Sequence, residues 1–389
     1  MNSDDVIHHC SLFFMPKTKR VLLKFSAFLL GAILLFFLSI MAFIHFAPQF
    51  GAKPSGEHLE KIARSPNYDS KQFINLIETK MDNSLSNMWG MIKEYASAKN
   101  TAPSATIETQ FGKENKSTSD TTVRVTWFGH SAILLEIGGK RIFLDPMLGP
   151  AASPVPFFAK RFKNKPAFDL KTLGKLDAVI FSHDHYDHLD YPTIKAIQDQ
   201  VGHFYTPLGL GSHLQAWGVP KNKITELDWW QSAQLGNLTF VATPARHFSG
   251  RGTVDANKTL WASWVIQGSG NNIYFSGDSG YGPHFKEIGE KYGPFDFAMM
   301  ECGQYNERWK AIHMMPEQTI QASLDLGGKA VMPIHWGAFT LAPHEWYEPA
   351  ERVLKAAQEA GVNLITPRIG DSFILGETLP QTTWWHEVQ

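Results

Sequence analysis

The sequence predicts an α/β protein in which two β-sheets are sandwiched between helices, preceded by a single membrane-spanning helix. Three observations carry this expectation. The 22-residue run Phe25–Phe46 contains no Lys, Arg, Asp or Glu. From Val123 onward, short β-rich runs come first and are then interleaved with helical stretches, three of which begin at or near proline. The composition is that of a folded chain: 389 residues, 43% hydrophobic and 19% charged, enough for two average domains or one large one.

The apolar run comes first in the chain. At 1.5 Å per residue it extends about 33 Å, sufficient for a hydrocarbon core of roughly 30 Å. Lys17, Lys19, Arg20 and Lys24 precede it, and the next positive charge after it is Lys53. The positive-inside rule therefore places the N-terminus in the cytoplasm and the rest of the chain on the far side, the periplasmic face in a bacterium. The run exceeds a secretory h-region, and the exits His45-Phe46-Ala47 and Phe50-Gly51-Ala52 lack a small residue at −3. An uncleaved anchor is expected, with Met15 as an alternative start. The resulting division is a basic cytoplasmic N-terminus (1–24), an anchor (25–46), a linker or N-terminal extension (47–122) and a main body (123–389).

Within the extension, helices are expected around Ser70–Thr79 and Asn83–Ala98, and Thr101–Asp120 reads as a loop or tether. In the body, strands are predicted at Val123–Trp127, Ala132–Ile137, Arg141–Leu144, Ala178–Phe181, His203–Thr206, Leu238–Thr243, Ser263–Gln267, Ile273–Ser276, Phe297–Met300, Ala330–Ile334 and Phe373–Leu375. Helices are predicted at Thr193–Gln200, Pro283–Tyr292, Pro316–Leu326 and Pro349–Ala360.

Charge and cysteine content narrow the function. Lys plus Arg total 36 and Asp plus Glu 37, so the net charge is 36 − 37 = −1, without the basic excess of a general nucleic-acid binder. The two cysteines, Cys10 and Cys302, flank the apolar run and are not expected to pair. The 16 histidines are the unusual feature. Four metal-capable residues, His183, His185, Asp187 and His188, fall within six positions just after a predicted strand, in the pattern H-x-H-x-D-H. Chance would produce it in about one chain in a thousand of this composition. Imidazoles and a carboxylate so closely spaced on a loop can diverge to serve two neighbouring cations. Further ligands are expected at other strand ends: His247 in TPARHFSGR, Asp278 in SGDSG and His335 in PIHWG. Together they make seven, the number used by a dinuclear site with one bridging carboxylate.

With these residues the chain resembles the metallo-β-lactamase superfamily, whose fold is an αββα sandwich. The similarity is greatest to the N-acyl-phosphatidylethanolamine-hydrolysing phospholipase D branch, through VTWFGHS at Val125–Ser131, SHDHYDHLDY at Ser182–Tyr191, PLGL at Pro207–Leu210, ELDWW at Glu226–Trp230, LWASW at Leu260–Trp264, SGDSGY at Ser276–Tyr281 and IHWGAF at Ile334–Phe339. The resemblance spans about Val123–Leu375. The membrane-spanning N-terminus and the run Met299–Gln304 depart from it. It implies one zinc on His183, His185 and His247, a second on Asp187, His188 and His335, and Asp278 bridging both, with other divalent metals as alternatives. It further implies hydrolysis of a membrane phospholipid to phosphatidic acid and N-acylethanolamine by a hydroxide shared between the metals, with Asp187 taking part in proton traffic.

Three further residues belong near this centre. Asp145 in FLDP is placed to hold a ligand imidazole by its N–H, with a turn carboxylate as the plainer reading. His130 lines the site or bonds backbone, and His313, before MMPE, is a substrate-contacting candidate. The Trp229-Trp230 pair reads as core. The competing functions are a lactone or ester hydrolase of the same superfamily, for which Glu301 and Gln304 would signal a smaller, more polar substrate, and a non-catalytic envelope binding protein. A nuclease is opposed by the near-zero charge. The expected partners are the phospholipid and the bilayer, not nucleic acid, with a homodimer as an option.

Overall fold

A computed structural model describes residues 17–82, 84–111 and 122–389. It forms two compact units, one ending at Phe50 and one running from Gly51 to Gln389. The first consists largely of α1, Lys17–Phe46. Within it, Thr18–Phe46 is long and apolar enough to cross a membrane, and its large side chains are bare, with Phe28 74% and Leu35 67% exposed. A helix apolar all round presents no face suited to water. Cys10 lies outside the described residues; Cys302 is buried and free.

The second unit begins with α2, Glu57–Ile62, and α3, Leu85–Ser97. The expected helix over Asn83–Ala98 is therefore present as α3, started by Ser84, which accepts from the Asn87 N–H. The expected helix at Ser70–Thr79 is not: this segment is an irregular strap. Phe73, fully buried, fastens it, and its N–H bonds to the Asn257 carbonyl, so tertiary anchoring replaces helical hydrogen bonds. Residues 112–120 of the expected tether lie outside the described residues.

The strands are β1 Ile107–Glu108, β2 Arg124–Trp127, β3 Ile133–Ile137, β4 Lys140–Leu144, β5 Asn164–Lys165, β6 Leu176–Ile180, β7 Val201–Pro207, β8 Ile224–Leu227, β9 Ser232–Leu235, β10 Leu238–Thr243, β11 Ser263–Gly268, β12 Asn271–Phe275, β13 Phe297–Glu301, β14 Ala330–Ile334, β15 Asn363–Leu364 and β16 Ser372–Ile374. The remaining helices are α4 Tyr191–Ile197, α5 Gly211–Ala216, α6 His284–Tyr292, α7 Pro316–Leu326 and α8 Glu348–Ala360. One seven-stranded sheet is ordered β16-β2-β3-β4-β6-β7-β8 and the other β15-β14-β13-β12-β11-β10-β9, while β1 and β5 form a separate pair. In the first sheet β16 to β4 pair antiparallel and β4 to β8 parallel. The second pairs parallel from β15 to β12 and antiparallel from β12 to β9.

Both faces of each sheet are covered. Val125, Leu135, Ile142 and Ile180 of the first sheet share a buried core with Phe240, Trp264, Phe275 and Met332 of the second. The outer face of the first packs Phe143, Val179 and Phe204 on Ile194, Ile197 and Leu214 of α4 and α5. The outer face of the second packs Val265, Tyr274 and Val331 on Phe285, Ile320 and Val353 of α6, α7 and α8. The layers are helix, sheet, sheet, helix, and a strand covered on both faces must read as a continuous apolar run, as VMPI and AVI do. Strands β10, β12 and β14 run in one direction, so their C-terminal ends share an edge, as do those of β4 and β6. Loops at such edges collect functional residues.

The extension is joined to this body through α2. His58 Nδ1 donates to Glu226 Oε2 at 2.7 Å, which raises the imidazole pKa above its ordinary value against partial burial. The folded pKa exceeds the unfolded value of 6.5, so this linkage is fully present below 6.5 and is lost as pH rises through the folded value. Raising the pH from about 6 to about 9 is expected to lower hydrogen-exchange protection of α2, after correction for intrinsic rate. The Glu226→Gln variant should lose that dependence; equal protection at both pH values in the wild type would refute it.

Candidate metal centre

All seven expected ligands meet at the shared edge of the sheets. His183, His185, Asp187 and His188 lie on the loop after β6, whose tight course bonds the N–H groups of His188 and Leu189 to the His185 carbonyl. His247 follows β10, Asp278 follows β12 and His335 follows β14. The SGDSG loop closes against the histidine loop at Gly277, where φ is +55° and a Cβ would lie 2.5 Å from the Ser182 Cβ. Only glycine accepts both that conformation and that approach.

Two groups of nitrogen and oxygen atoms result. In one, His185 Nδ1 lies 2.9 Å from His183 Nε2 and 3.2 Å from His247 Nε2. In the other, His335 Nε2 lies 3.2 Å and His188 Nε2 3.5 Å from Asp187 Oδ2. Asp278 Oδ2 belongs to both, being 3.8 Å from His183 and His247 Nε2, 3.1 Å from His188 Nε2 and 2.9 Å from His335 Nε2. Tetrahedral ligands at about 2.0–2.1 Å from a zinc ion are separated by roughly 3.3 Å, which matches these spacings.

The outer ring nitrogens fix which inner ones are bare. His247 Nδ1 donates to the Ile312 carbonyl at 3.0 Å and His335 Nδ1 to the Gly303 carbonyl at 3.2 Å. Ser182 Oγ gives its proton to Asp145, so it accepts from His183 Nδ1 at 2.9 Å. His188 Nδ1 donates to Asp145 Oδ2 at 2.7 Å. In neutral rings the Nε2 lone pairs of all four are then aimed inward, where facing lone pairs need a cation between them. His188 Nε2 and Asp278 Oδ1 are buried with no hydrogen-bond partner, as expected of atoms reserved for an ion. The donor set therefore fits divalent metal.

Electrostatics divides the cluster. Burial, reinforced by neighbouring imidazoles, pushes His183 well below its ordinary range; burial likewise drives His247 well below and lowers His185. These rings stay neutral, as ligands must. Burial also opposes charge on His188 and His335, yet Asp278 and Asp187 outweigh it, holding His188 well above its usual value and His335 at about 10. The same pairings, again against burial, hold both aspartates well below the carboxylate range. The pocket is a place where two carboxylates call for positive charge.

The supporting residues fall as follows. Asp145 is fully buried and, besides His188 and the Ser182 hydroxyl, accepts from the Ser182 N–H at 2.7 Å. Its carboxylate is thus engaged by Ser182 and by the His188 imidazole. His130 Nε2 donates to Asp187 Oδ2 at 2.9 Å; burial lowers this ring's pKa to about 3, so it remains a neutral donor. His130, Asp145 and His335 all have positive φ, at 54°, 40° and 69°, a backbone conformation uncommon outside glycine. His313 lies beside the cluster: its Nδ1 donates to Glu301 Oε1 at 2.9 Å, its ring stacks on His335, and one nitrogen is within 4.8 Å of metal-capable atoms of His247 and Asp278. Glu301 is fully buried at the end of β13 and also accepts from the Met314 N–H, so the carboxylate that departs from the family pattern is occupied in holding His313. Gln304 is spent on the backbone of Phe339 and Leu341. Neither offers a free polar group to substrate, which removes the sequence argument for a smaller, more polar one. Trp229 is core, its indole N–H bonded to the Trp261 carbonyl.

Asp184 and Arg251 are the residues that sequence reasoning missed. Asp184 accepts from the Gly250 N–H and the Thr259 hydroxyl, while Arg251 bonds the carbonyls of Asp184 and Leu189 and lies 4.1 Å from the Tyr186 ring. They latch the 249–259 loop onto the histidine loop. The acidic residue inside the motif was the available signal.

Comparison with known proteins agrees with this geometry. The profile of the Beta-lactamase superfamily domain matches residues 140–336. N-acyl-phosphatidylethanolamine-hydrolyzing phospholipase D 1 of Caenorhabditis elegans is 34% identical over 260 residues, covering 63% of this chain and 72% of that protein. Outer membrane protein RomA of Klebsiella pneumoniae is 58% identical over 100 residues, 26% of this chain and 75% of that protein. The structure of a metallo hydrolase from Ignicoccus hospitalis superposes with a TM-score of 0.52 at 23% identity, over 66% of this chain and all of that one. The αββα sandwich, the His/Asp cluster at its strand ends and these relatives together place the chain in the beta-lactamase superfamily, as a metal-dependent hydrolase with the metallo-β-lactamase fold.

Proposed function

We propose that this protein is a membrane-anchored, two-zinc phosphodiesterase that hydrolyses N-acyl-phosphatidylethanolamine-like phospholipids to phosphatidic acid and N-acylethanolamine. The observation that carries the reading is the position of Asp278 Oδ2, within 3.8 Å of four imidazole nitrogens drawn from both ligand groups. His183, His185 and His247 would hold one ion, Asp187, His188 and His335 the other, and Asp278 would serve both. The similarity to the Caenorhabditis elegans phospholipase supports the substrate class.

When bound, two divalent ions lower the pKa of a shared water and neutralise charge building on a phosphoryl group. The chain supplies the arrangement around them. His130 fixes the Asp187 carboxylate, and Asp145 fixes His188, so neither ligand reorganises as charge develops. Asp187, beside the reacting centre, takes part in proton traffic. His313, steadied by Glu301, faces the substrate. The Phe248 ring, 36% exposed, lies 4.4 Å from the His185 ring and gives the mouth an apolar edge suited to a lipid. The apolar helix α1 anchors the enzyme where its substrate resides, with the basic N-terminus in the cytoplasm and the catalytic unit on the far side; similarity to an outer membrane protein supports an envelope location.

Zinc-loaded protein is expected to convert N-acyl-phosphatidylethanolamine vesicles to phosphatidic acid and N-acylethanolamine, read by mass spectrometry. The His185→Ala variant should be slower by about a hundredfold or more. Absence of turnover with both metals bound would overturn the substrate assignment.

A further inference from the structure

The geometry points to Asn75, in the N-terminal strap, as the positioning residue that sets the backbone of His247, an inference resting on the metal-centre reading above. His247 lies beyond the end of β10 at Thr243, out of reach of the sheet ladder. A backbone leaving a sheet needs other partners for its N–H and C=O. The Asn75 side chain supplies both: its Nδ2 donates to the His247 carbonyl at 2.8 Å, and its Oδ1 accepts from the His247 N–H at 3.1 Å. A carboxamide can donate and accept at one end, as an aspartate cannot. The Trp261 indole N–H bonds the same Oδ1 at 3.1 Å and fixes the amide's orientation.

The strap is fastened on both sides of this contact. Before it, Phe73 is fully buried and its N–H bonds to the Asn257 carbonyl at 2.9 Å. After it, Arg246 donates from Nε to Thr79 Oγ1 and from Nη2 to the Glu78 carbonyl, both at 3.0 Å. The imidazole of His247 is held by the Ile312 carbonyl and its backbone by Asn75, so ring and main chain are constrained independently. The extension is therefore part of the metal centre, and the sandwich without it lacks one support for a ligand.

The test uses the full-length chain in detergent, loaded with cobalt(II), whose visible absorption reports ligand geometry. In Asn75→Ala the ion held by His247 should pass to a chelator about tenfold faster than in wild type, with altered visible bands, the usual scale for losing a partner behind a metal ligand. Asn75→Asp, which keeps the acceptor but sets a carboxylate oxygen against the His247 carbonyl, should release the ion at least as fast as Asn75→Ala. Val353→Ala, in the outer core under α8, touches neither the strap nor His247 and controls for general destabilisation. Wild-type release and spectrum in Asn75→Ala, or the same changes in Val353→Ala, would overturn the proposal. The wild type is read first: uptake of one ion instead of two overturns the two-metal reading, while the Asn75 comparison proceeds on the ion His247 holds. No uptake overturns both.

Discussion

The Asp278→Asn variant is expected to lose bound metal and to drop at least about a thousandfold in turnover of N-acyl-phosphatidylethanolamine vesicles while remaining folded. Asp278 is 3% exposed, and its Oδ2 is the atom common to both ligand groups. A unit charge pair about 4 Å apart is worth about 4 kcal/mol at an effective dielectric of 20, so exchanging the carboxylate for a neutral amide removes several kcal/mol of attraction toward each cation. The amide also brings N–H donors into a pocket where Nε2 of His183 and His247 are bare, and one of these lone pairs would be consumed. The same change in an ordinary turn would cost a fraction of this. Metal content by mass spectrometry and far-ultraviolet circular dichroism check the two halves of the expectation. An unchanged metal content would refute the bridging role.

The parts of this architecture readable in the sequence are those with local causes. Strands β10, β11 and β14 sit where apolar runs predict them, because strands covered on both faces cannot be anything but apolar. Helix α7 is bounded by Pro316 and Gly327 and matches its expected range. The candidate ligands were legible because each follows a strand end by no more than eight residues. Strands β8 and β9 were not, since an edge strand such as SAQL, exposed on alternate residues, has no apolar signature. The strap at Ser70–Thr79 misled for a different reason: its spacing of apolar residues suits a helix, yet Phe73 and Asn75 find partners 172 or more residues away in sequence. No local pattern encodes an Asn75–His247 contact. Glu301 was visible as an anomaly, but whether it meets substrate or His313 depends on the 302–315 loop folding back over it, which only tertiary structure reveals.

Exchange of one atom behind the ligands should separate metal binding from folding. Asp145→Asn is expected to leave the fold intact, to empty the site holding His188 and, through the Ser182 hydroxyl it no longer accepts from, to weaken the one holding His183, lowering metal content by about one ion per chain or more and activity by about a hundredfold or more. Asp145 Oδ1 accepts from the Ser182 N–H at 2.7 Å, and Oδ2 accepts from His188 Nδ1 at 2.7 Å. An amide in its place must keep its oxygen on the Ser182 N–H, because an NH2 there would oppose another donor. Its nitrogen then faces His188 and donates to Nδ1, which drives the ring proton to Nε2, the atom pointed at the metal. A protonated Nε2 cannot ligate. Asp145→Ala acts otherwise: it strands the buried Ser182 N–H and His188 Nδ1–H together and should destabilise the fold by about 2–5 kcal/mol. Titration of metal content against thermal unfolding distinguishes the two. Wild-type metal content in Asp145→Asn would show that His188 keeps its tautomer without Asp145, and the role assigned to that carboxylate would fall.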